Sequence, residues 1–189
     1  MAEKQGAESM SETGKYRHLT RPHCYREDGE PGCGIDLASQ GSPVVPWAWQ
    51  LDLPPDKFAY YNSGHKPAGP INLYGDAFAH HFVEDGSLDF VYSSHLLEDA
   101  PFEKWTEILT IWKNALKPGG KLIILCPEKK LWNEAIAAGQ CPNCEHRHEP
   151  AVGDISVKAV EAGLEVLQEG LTALDEKDYS ILFVGRKPL

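Results

Sequence analysis

The stretch LDFVYSSHLLEDAPFEKWTEILTIWKNALKPGGKLIILCP, residues 88–127, decides the fold. Leu88 to Ser93 is a short apolar run of strand-forming residues and predicts a buried strand. Trp105 to Leu116 carries apolar residues at 105, 108, 109, 112 and 116, the i, i+3, i+4, i+7 spacing of a helix that lays one face on a sheet. Lys117-Pro118-Gly119-Gly120 supplies the cation, proline and glycines that end helices. Lys121 to Cys126 is apolar nearly throughout, as a strand covered on both faces must be. Strand, helix and strand in this order predict a parallel crossover unit of an open α/β sheet.

Working outward, Ile35 to Leu37 predicts a first strand, and Ala48 to Leu53 a second that Pro54 and Pro55 stop. Residues 62–70 read as loop, and Ile71 to Tyr74 as a short third strand ending at Gly75-Asp76. Near the other end, Leu164–Leu167 and Tyr179–Gly185 are strand-like runs with no helix between them, which predicts an antiparallel pair at the sheet edge. No internal repeat or second domain is visible. The polar residues 1–14 are expected to be a disordered tail, with one domain over 15–189.

Composition narrows the function. A chain of 189 residues with 42% hydrophobic residues suits one soluble domain, and no apolar run approaches the roughly 20 residues that span a bilayer. The net charge is −10 and the basic residues are scattered, which argues against a nucleic-acid backbone and for a neutral or cationic small molecule. Five cysteines, an odd number, and an N-terminus without an apolar signal core lead to an expectation of reduced thiols in the cytoplasm, with no membrane partner.

Residues 75–129 resemble the class I S-adenosylmethionine-dependent methyltransferases, in particular their "type 11" branch. The likeness lies in Asp76 after the third strand, the Leu88–Asp99 segment with its SSH and LED triplets, the LKPGG helix end, and the apolar fifth strand ending in Pro127. HRHEP at 146–150 and DYSILFVGRKP at 178–188 are similar to the family's HxHE segment and last strand, so the resemblance covers roughly 32–188. It implies a single Rossmann-like α/β domain, a mostly parallel seven-stranded sheet with an antiparallel C-terminal edge strand. It also implies S-adenosylmethionine as cofactor and S-adenosylhomocysteine as product.

The resemblance aligns GIDLASQGSPVV, residues 34–45, with the family's first strand, acid and glycine loop. The acid is Asp36; Ala38, Gln40 and Ser42 stand where glycines are usual, and Gly41 is displaced by one. Glycines there serve left-handed backbone and close approach of N–H groups to a ligand. Ala38 and Ser39 are small enough to keep that approach open, so Asp36, Ala38, Ser39 and Gly41 are candidate cofactor contacts. Asp52 ends the second strand where a carboxylate accepts from a ribose diol. Asp76, with Ala77 and Phe78, would meet the adenine, and Ser93 the methionine part.

His95 is a candidate general base, a role its ordinary pKa suits; it could equally line the pocket. His146 and His148 are candidate polar contacts or bases in a loop over the acceptor. Glu98 and Asp99 read as charges at a helix start. Cys141, Cys144, His146 and His148 suggest zinc, but four ligands within eight residues are too compressed for a tetrahedral site, so no metal is expected. Gly32-Cys33-Gly34 fails as a dinucleotide fingerprint because it precedes the strand, and it reads as a flexible lead-in. An N-terminal contact with cofactor through Tyr16, His18 or Arg21, and a pocket wall at Trp47, are weaker candidates.

The expected reaction is in-line methyl transfer to a small-molecule or glycan acceptor. The alternative is a methyltransferase-like binding or regulatory protein without turnover. A nicotinamide oxidoreductase is disfavoured by the missing glycine fingerprint and the missing Tyr-x-x-x-Lys pair.

Overall fold

The computed structural model describes residues 12–54, 56–57, 67, 69–79, 82–139, 146–172 and 180–189. Its strands are β1 (Gly34–Leu37), β2 (Trp49–Asp52), β3 (Leu73–Tyr74), β4 (Leu88–Ser94), β5 (Leu116–Pro127), β6 (Glu165–Leu171) and β7 (Ser180–Arg186). The helices are α1 (Glu12–Thr20), α2 (Trp105–Ala115), α3 (Lys129–Ala137) and α4 (Asp154–Glu161). The strands form one sheet in the order β3-β2-β1-β4-β5-β7-β6. β1 to β5 run parallel, and β7 runs antiparallel to both β5 and β6. The expected seven-stranded Rossmann-like sheet is therefore what forms, with the reversed strand set between β5 and the edge strand β6. The order reverses between β1 and β4, so a crevice opens at the carboxyl ends of those two strands, where open α/β sheets take their ligands.

The two faces are covered by different means. On one, α2 and α4 pack Trp105, Ile108, Leu109, Trp112, Ile155 and Ala159 against Ile35, Leu37, Val91, Ile124 and Phe183. The other presents Phe90, Tyr92, Ile123, Leu125, Leu182 and Val184, and is covered by Tyr16 of α1, Cys24, Val44, Val45 and Ala48. Parallel neighbours are usually joined by a crossover helix of a dozen residues or more. Here β1 reaches β2 through residues 38–48 without any helix, and apolar loop residues take the helix's place. Tyr16 is thus a core residue, its hydroxyl accepting from Ser180 Oγ at 2.9 Å, while His18 and Arg21 lie exposed on the outer side. Among the described residues no helix is long and apolar enough to cross a membrane.

Two local readings of the sequence differ from the structure. Lys117–Gly120 does not separate helix from strand: β5 already begins at Leu116, opposite Leu88, and the pairing with β4 shifts register before resuming at Phe90 opposite Lys121. Gly119 takes φ 79°, and its N–H donates to Lys187 O while Lys187 N–H donates to Gly120 O, so the glycines serve a kinked strand. Gly32 and Gly34 are not a flexible lead-in either. Both are buried; Gly32 N–H donates to Cys24 O at 3.0 Å, and a Cβ on Gly34 would run into the Phe90 ring. Gly34→Ala should therefore lower stability in urea unfolding by about 1–3 kcal/mol through overpacking. Gly170→Ala, with open space around it, should change it by less than about 0.5 kcal/mol. Equal midpoints for the two variants would refute this packing account.

Candidate active site

The loop that leaves β1 keeps the backbone that glycines usually provide. Ala38 (φ 58°) and Gln40 (φ 49°) hold left-handed conformations alongside Gly41 (φ 78°). For residues with a Cβ this costs roughly 1–2 kcal/mol each, so the surroundings must hold the loop in place. Ala38 N–H donates to Leu51 O at 2.8 Å, tying the loop to β2. Gln40 N–H donates to Asp52 Oδ2 at 3.1 Å and Leu53 N–H to Asp52 Oδ1 at 2.9 Å, so the Asp52 carboxylate gathers the loop and the strand end. The Ser39 hydroxyl donates to Gln50 Oε1 at 2.9 Å and accepts from Gly41 N–H. Gly41 lies directly on the Gly69 backbone, leaving no room for a side chain at either position.

Asp36 is fully buried behind this loop. Its Oδ2 accepts from Val44 N–H at 2.6 Å, and its Oδ1 has no hydrogen-bond partner. Burial pushes its carboxyl well above the ordinary carboxylate range; the Val44 N–H and the Arg17 charge pull the other way, and the Asp52 charge adds to the rise. At the end of β4 the buried hydroxyl oxygens of Ser93 and Ser94 also lack partners. Buried polar atoms in native proteins are overwhelmingly hydrogen-bonded. Three orphans at the carboxyl ends of two adjacent strands therefore mark where a polar ligand would be received.

Gly75 N–H donates to Asp52 O at 2.9 Å, which brings the turn after β3 beside the end of β2. In that turn Asp76 is exposed and accepts from Phe78 N–H at 2.8 Å, as an Asp-turn does. Ala77 is buried and its carbonyl accepts from Trp112 Nε1 at 2.8 Å, while the Phe78 ring stacks on Trp112. Trp47 Nε1 donates to Gly32 O at the amino end of β1, and its ring meets Tyr25. That anchors it away from the carboxyl ends, so it is not a pocket wall.

His95 follows β4 with φ 51°, another left-handed residue, and its N–H donates to Leu125 O. Its Nδ1 lies 3.3 Å from Glu98 Oε1. His146 Nε2 lies 3.6 Å from the same oxygen, with its ring against Trp132 and its Nδ1 3.5 Å from Glu149 Oε1. His148 faces elsewhere: its ring stacks on Phe102 at 4.5 Å, meets Trp105 edge-on, and its Nε2 lies 3.7 Å from Asp154. The structure thus brings His95 and His146 together and leaves His148 as packing between α2 and α4. Glu98 is the residue missed by sequence reasoning. It does not cap a helix start; its carboxylate points inward and is wholly buried. The i, i+3 spacing from His95 was the available signal. Cys141 and Cys144 lie outside the described residues, among which no group of three or more His, Cys, Asp or Glu is arranged to hold a metal ion.

Residues 32–124 match the family model described as a methyltransferase domain. A solved S-adenosylmethionine-dependent methyltransferase from Mesorhizobium loti is 14% identical, with a TM-score of 0.64 over 94% of this chain and 98% of that one. A protein of Pyrococcus horikoshii OT3 is 17% identical, with a TM-score of 0.64 over 94% of each chain. A methyltransferase of the same cofactor class from Methanosarcina mazei is 14% identical, with a TM-score of 0.55 over 84% of this chain and 93% of that one. The comparison with curated proteins gives no match. At these identities the structures establish the fold, and the domain match covers residues 32–124. Residues 32–124 thus carry a methyltransferase domain, and the chain has the fold of S-adenosylmethionine-dependent methyltransferases.

The raised Asp36 carboxyl has a consequence for stability. The folded state holds this proton more tightly than the unfolded chain does. Its contribution is therefore full below the ordinary carboxylate pKa and is lost as pH rises toward the folded value. Asp36→Asn lacks this loss, so its urea midpoint relative to the parent should rise across the pH range above the ordinary carboxylate pKa. A difference that stays constant over that range would refute the burial argument.

Proposed function

We propose that the crevice at the carboxyl ends of β1, β2 and β4 takes S-adenosylmethionine, and that the chain transfers its methyl group to a small-molecule or glycan acceptor by in-line displacement. The observation that carries this reading is the trio of orphaned buried oxygens, Asp36 Oδ1, Ser93 Oγ and Ser94 Oγ, beside a loop in left-handed geometry. The cofactor, when bound, supplies an already electrophilic methyl carbon on a sulfonium that leaves as a neutral thioether. The protein's share is then mainly binding and alignment.

In this reading the backbone of Ala38, Ser39 and Gly41, with Asp36 and Ser93, holds the amino-acid end. Asp52 takes the ribose diol: a carboxylate oxygen accepts two hydrogen bonds, so its service to Gln40 and Leu53 leaves capacity for hydroxyls. Asp76 and Ala77 border the adenine. His95 faces the acceptor, His146 backs it from between Glu98 and Trp132, and His148, packed on Phe102, holds the 146–149 segment in place. The net charge of −10 supports a neutral or cationic acceptor, and the buried thiols of Cys24 and Cys126 suit a reducing cytoplasm.

One observation favours the alternative, a relative that binds without turnover: the loop's N–H groups and Asp52 satisfy one another, and Gly41 is closed against Gly69. Calorimetry with S-adenosylhomocysteine tests the first reading. Ala38→Leu should abolish binding by steric overlap while the protein stays folded, and Asp52→Ala should weaken it by about 1–3 kcal/mol. Ala38→Gly should bind at least as well as the parent and raise stability by about 1 kcal/mol, since it relieves the left-handed strain. Parent-like binding by Ala38→Leu would show that this is not the cofactor loop. Binding without methylation of any acceptor in a broad panel would establish the alternative.

A further inference from the structure

We propose that Glu98 is a positioning residue that fixes His95 with its proton on Nδ1, so that Nε2 serves as base for an acceptor hydroxyl. This rests on the methyl-transfer reading and narrows its acceptor to a compound methylated on oxygen.

The Glu98 carboxylate is wholly buried, yet no lysine or arginine among the described residues lies within ion-pair distance of it. A buried carboxylate without a cation is costly unless hydrogen-bond donors surround it. The Cys126 thiol donates to Oε2 at 3.3 Å, while Oε1 makes no hydrogen bond in this arrangement and has His95 Nδ1 and His146 Nε2 standing 3.3 and 3.6 Å from it. Its backbone is pinned as well, Glu98 O accepting from Arg147 N–H at 2.7 Å and His148 N–H at 3.1 Å. Glu98 is thereby fixed to β5 through Cys126 and to the 146–149 segment through its carbonyl. A residue serving only as a turn-end charge would lie at the surface. This one faces the ring of a histidine that itself sits in left-handed backbone at the ligand end of β4.

An ionised carboxylate only accepts hydrogen bonds, so the ring nitrogen facing it must carry the hydrogen. With Nδ1 protonated, the lone pair of neutral His95 lies on Nε2. As the acceptor oxygen bonds to the methyl carbon, the carbon–sulfur bond breaks with its electron pair staying on sulfur, and the hydroxyl proton passes to His95 Nε2. The resulting imidazolium lies beside Glu98 and later releases the proton to water. A thiolate or a thioether acceptor needs no such base, whereas a neutral hydroxyl is a poor nucleophile without one. The arrangement therefore favours oxygen as the methylated atom.

The test is long-range proton–nitrogen NMR on the full chain labelled with 15N-histidine, free and with S-adenosylhomocysteine, with the His95 signals assigned by their loss in His95→Gln. In the parent, His95 should carry its proton on Nδ1. In Glu98→Gln, whose amide can donate to Nδ1, the Nε2-protonated form should appear. A parent His95 protonated on Nε2, or an unchanged tautomer in a folded Glu98→Gln, overturns the assignment; the parent spectrum decides alone if the variant does not fold. A panel of alcohols, phenols, amines and thiols supplies the second readout. Hydroxyl compounds should be methylated, with kcat lower on the order of 100-fold in Glu98→Gln and KM for S-adenosylmethionine unchanged. Methylation of amines or thiols alone, or of nothing in the panel while S-adenosylhomocysteine binds, removes the hydroxyl assignment. Failure to bind S-adenosylhomocysteine would instead overturn the methyl-transfer reading, which the tautomer in the free protein does not depend on.

Discussion

The parallel pairing of β1 with β2 across residues 38–48 constrains both the core and the site. A link this short cannot carry a helix over the sheet, so part of one face would lie bare. α1 comes in from the N-terminal side to cover it, and Val44, Val45 and Ala48 are drawn down onto Tyr92, Ile123 and Leu125. Arg17 of α1 donates to Pro43 O at 3.1 Å, joining the two replacements to each other. The same compression folds the loop back over the strand ends, where Val44 N–H reaches Asp36 and Gln40 N–H reaches Asp52. Covering the core and shaping the ligand crevice are thus done by one short segment.

The centre of the fold was legible because its periodicities are strong. The apolar run of β4, the helical stripe from Trp105 to Ala115 and the continuous apolar run of β5 each have one structural solution when both sheet faces are covered. What failed was punctuation. Lys117–Gly120 has the composition of a helix stop, but helix-stop residues also suit a strand that kinks between two neighbours, and Leu88 and Lys187 lie on either side of it. Local composition cannot distinguish the two, because the choice depends on a partner strand some seventy residues away. Gly32 and Gly34 were misread for the same reason, since the Phe90 ring that crowds both positions lies far along the chain.

For the site, strand ends located the acids. Asp36 and Asp52 follow from where β1 and β2 stop, and Ser93 from where β4 stops, so each was found by placing a strand. The left-handed backbone of Ala38 and Gln40 was only half legible: the missing glycines were visible, but not that the chain would keep their conformation without them. That outcome depends on hydrogen bonds to Leu51 and Asp52, which belong to another strand. Glu98 was hidden by its own chemistry. An acid near a helix start is usually at the surface, and only the packed structure shows a thiol donor and two imidazole nitrogens gathered around it.

The hydroxyl contact between Tyr16 and Ser180 joins residues 164 positions apart. A ribosome releases the chain from its N-terminus at several residues per second. Tyr16 therefore emerges long before Leu182 and Val184, the β7 side chains that share its core cluster. Until β7 is made and inserted beside β5, α1 has an incomplete surface to rest on, and β5 presents an open edge able to pair with other chains. The strand that closes the sheet last is also the one that completes the support for its first helix, which makes the nascent chain most exposed to aggregation in the interval before β7 is synthesised.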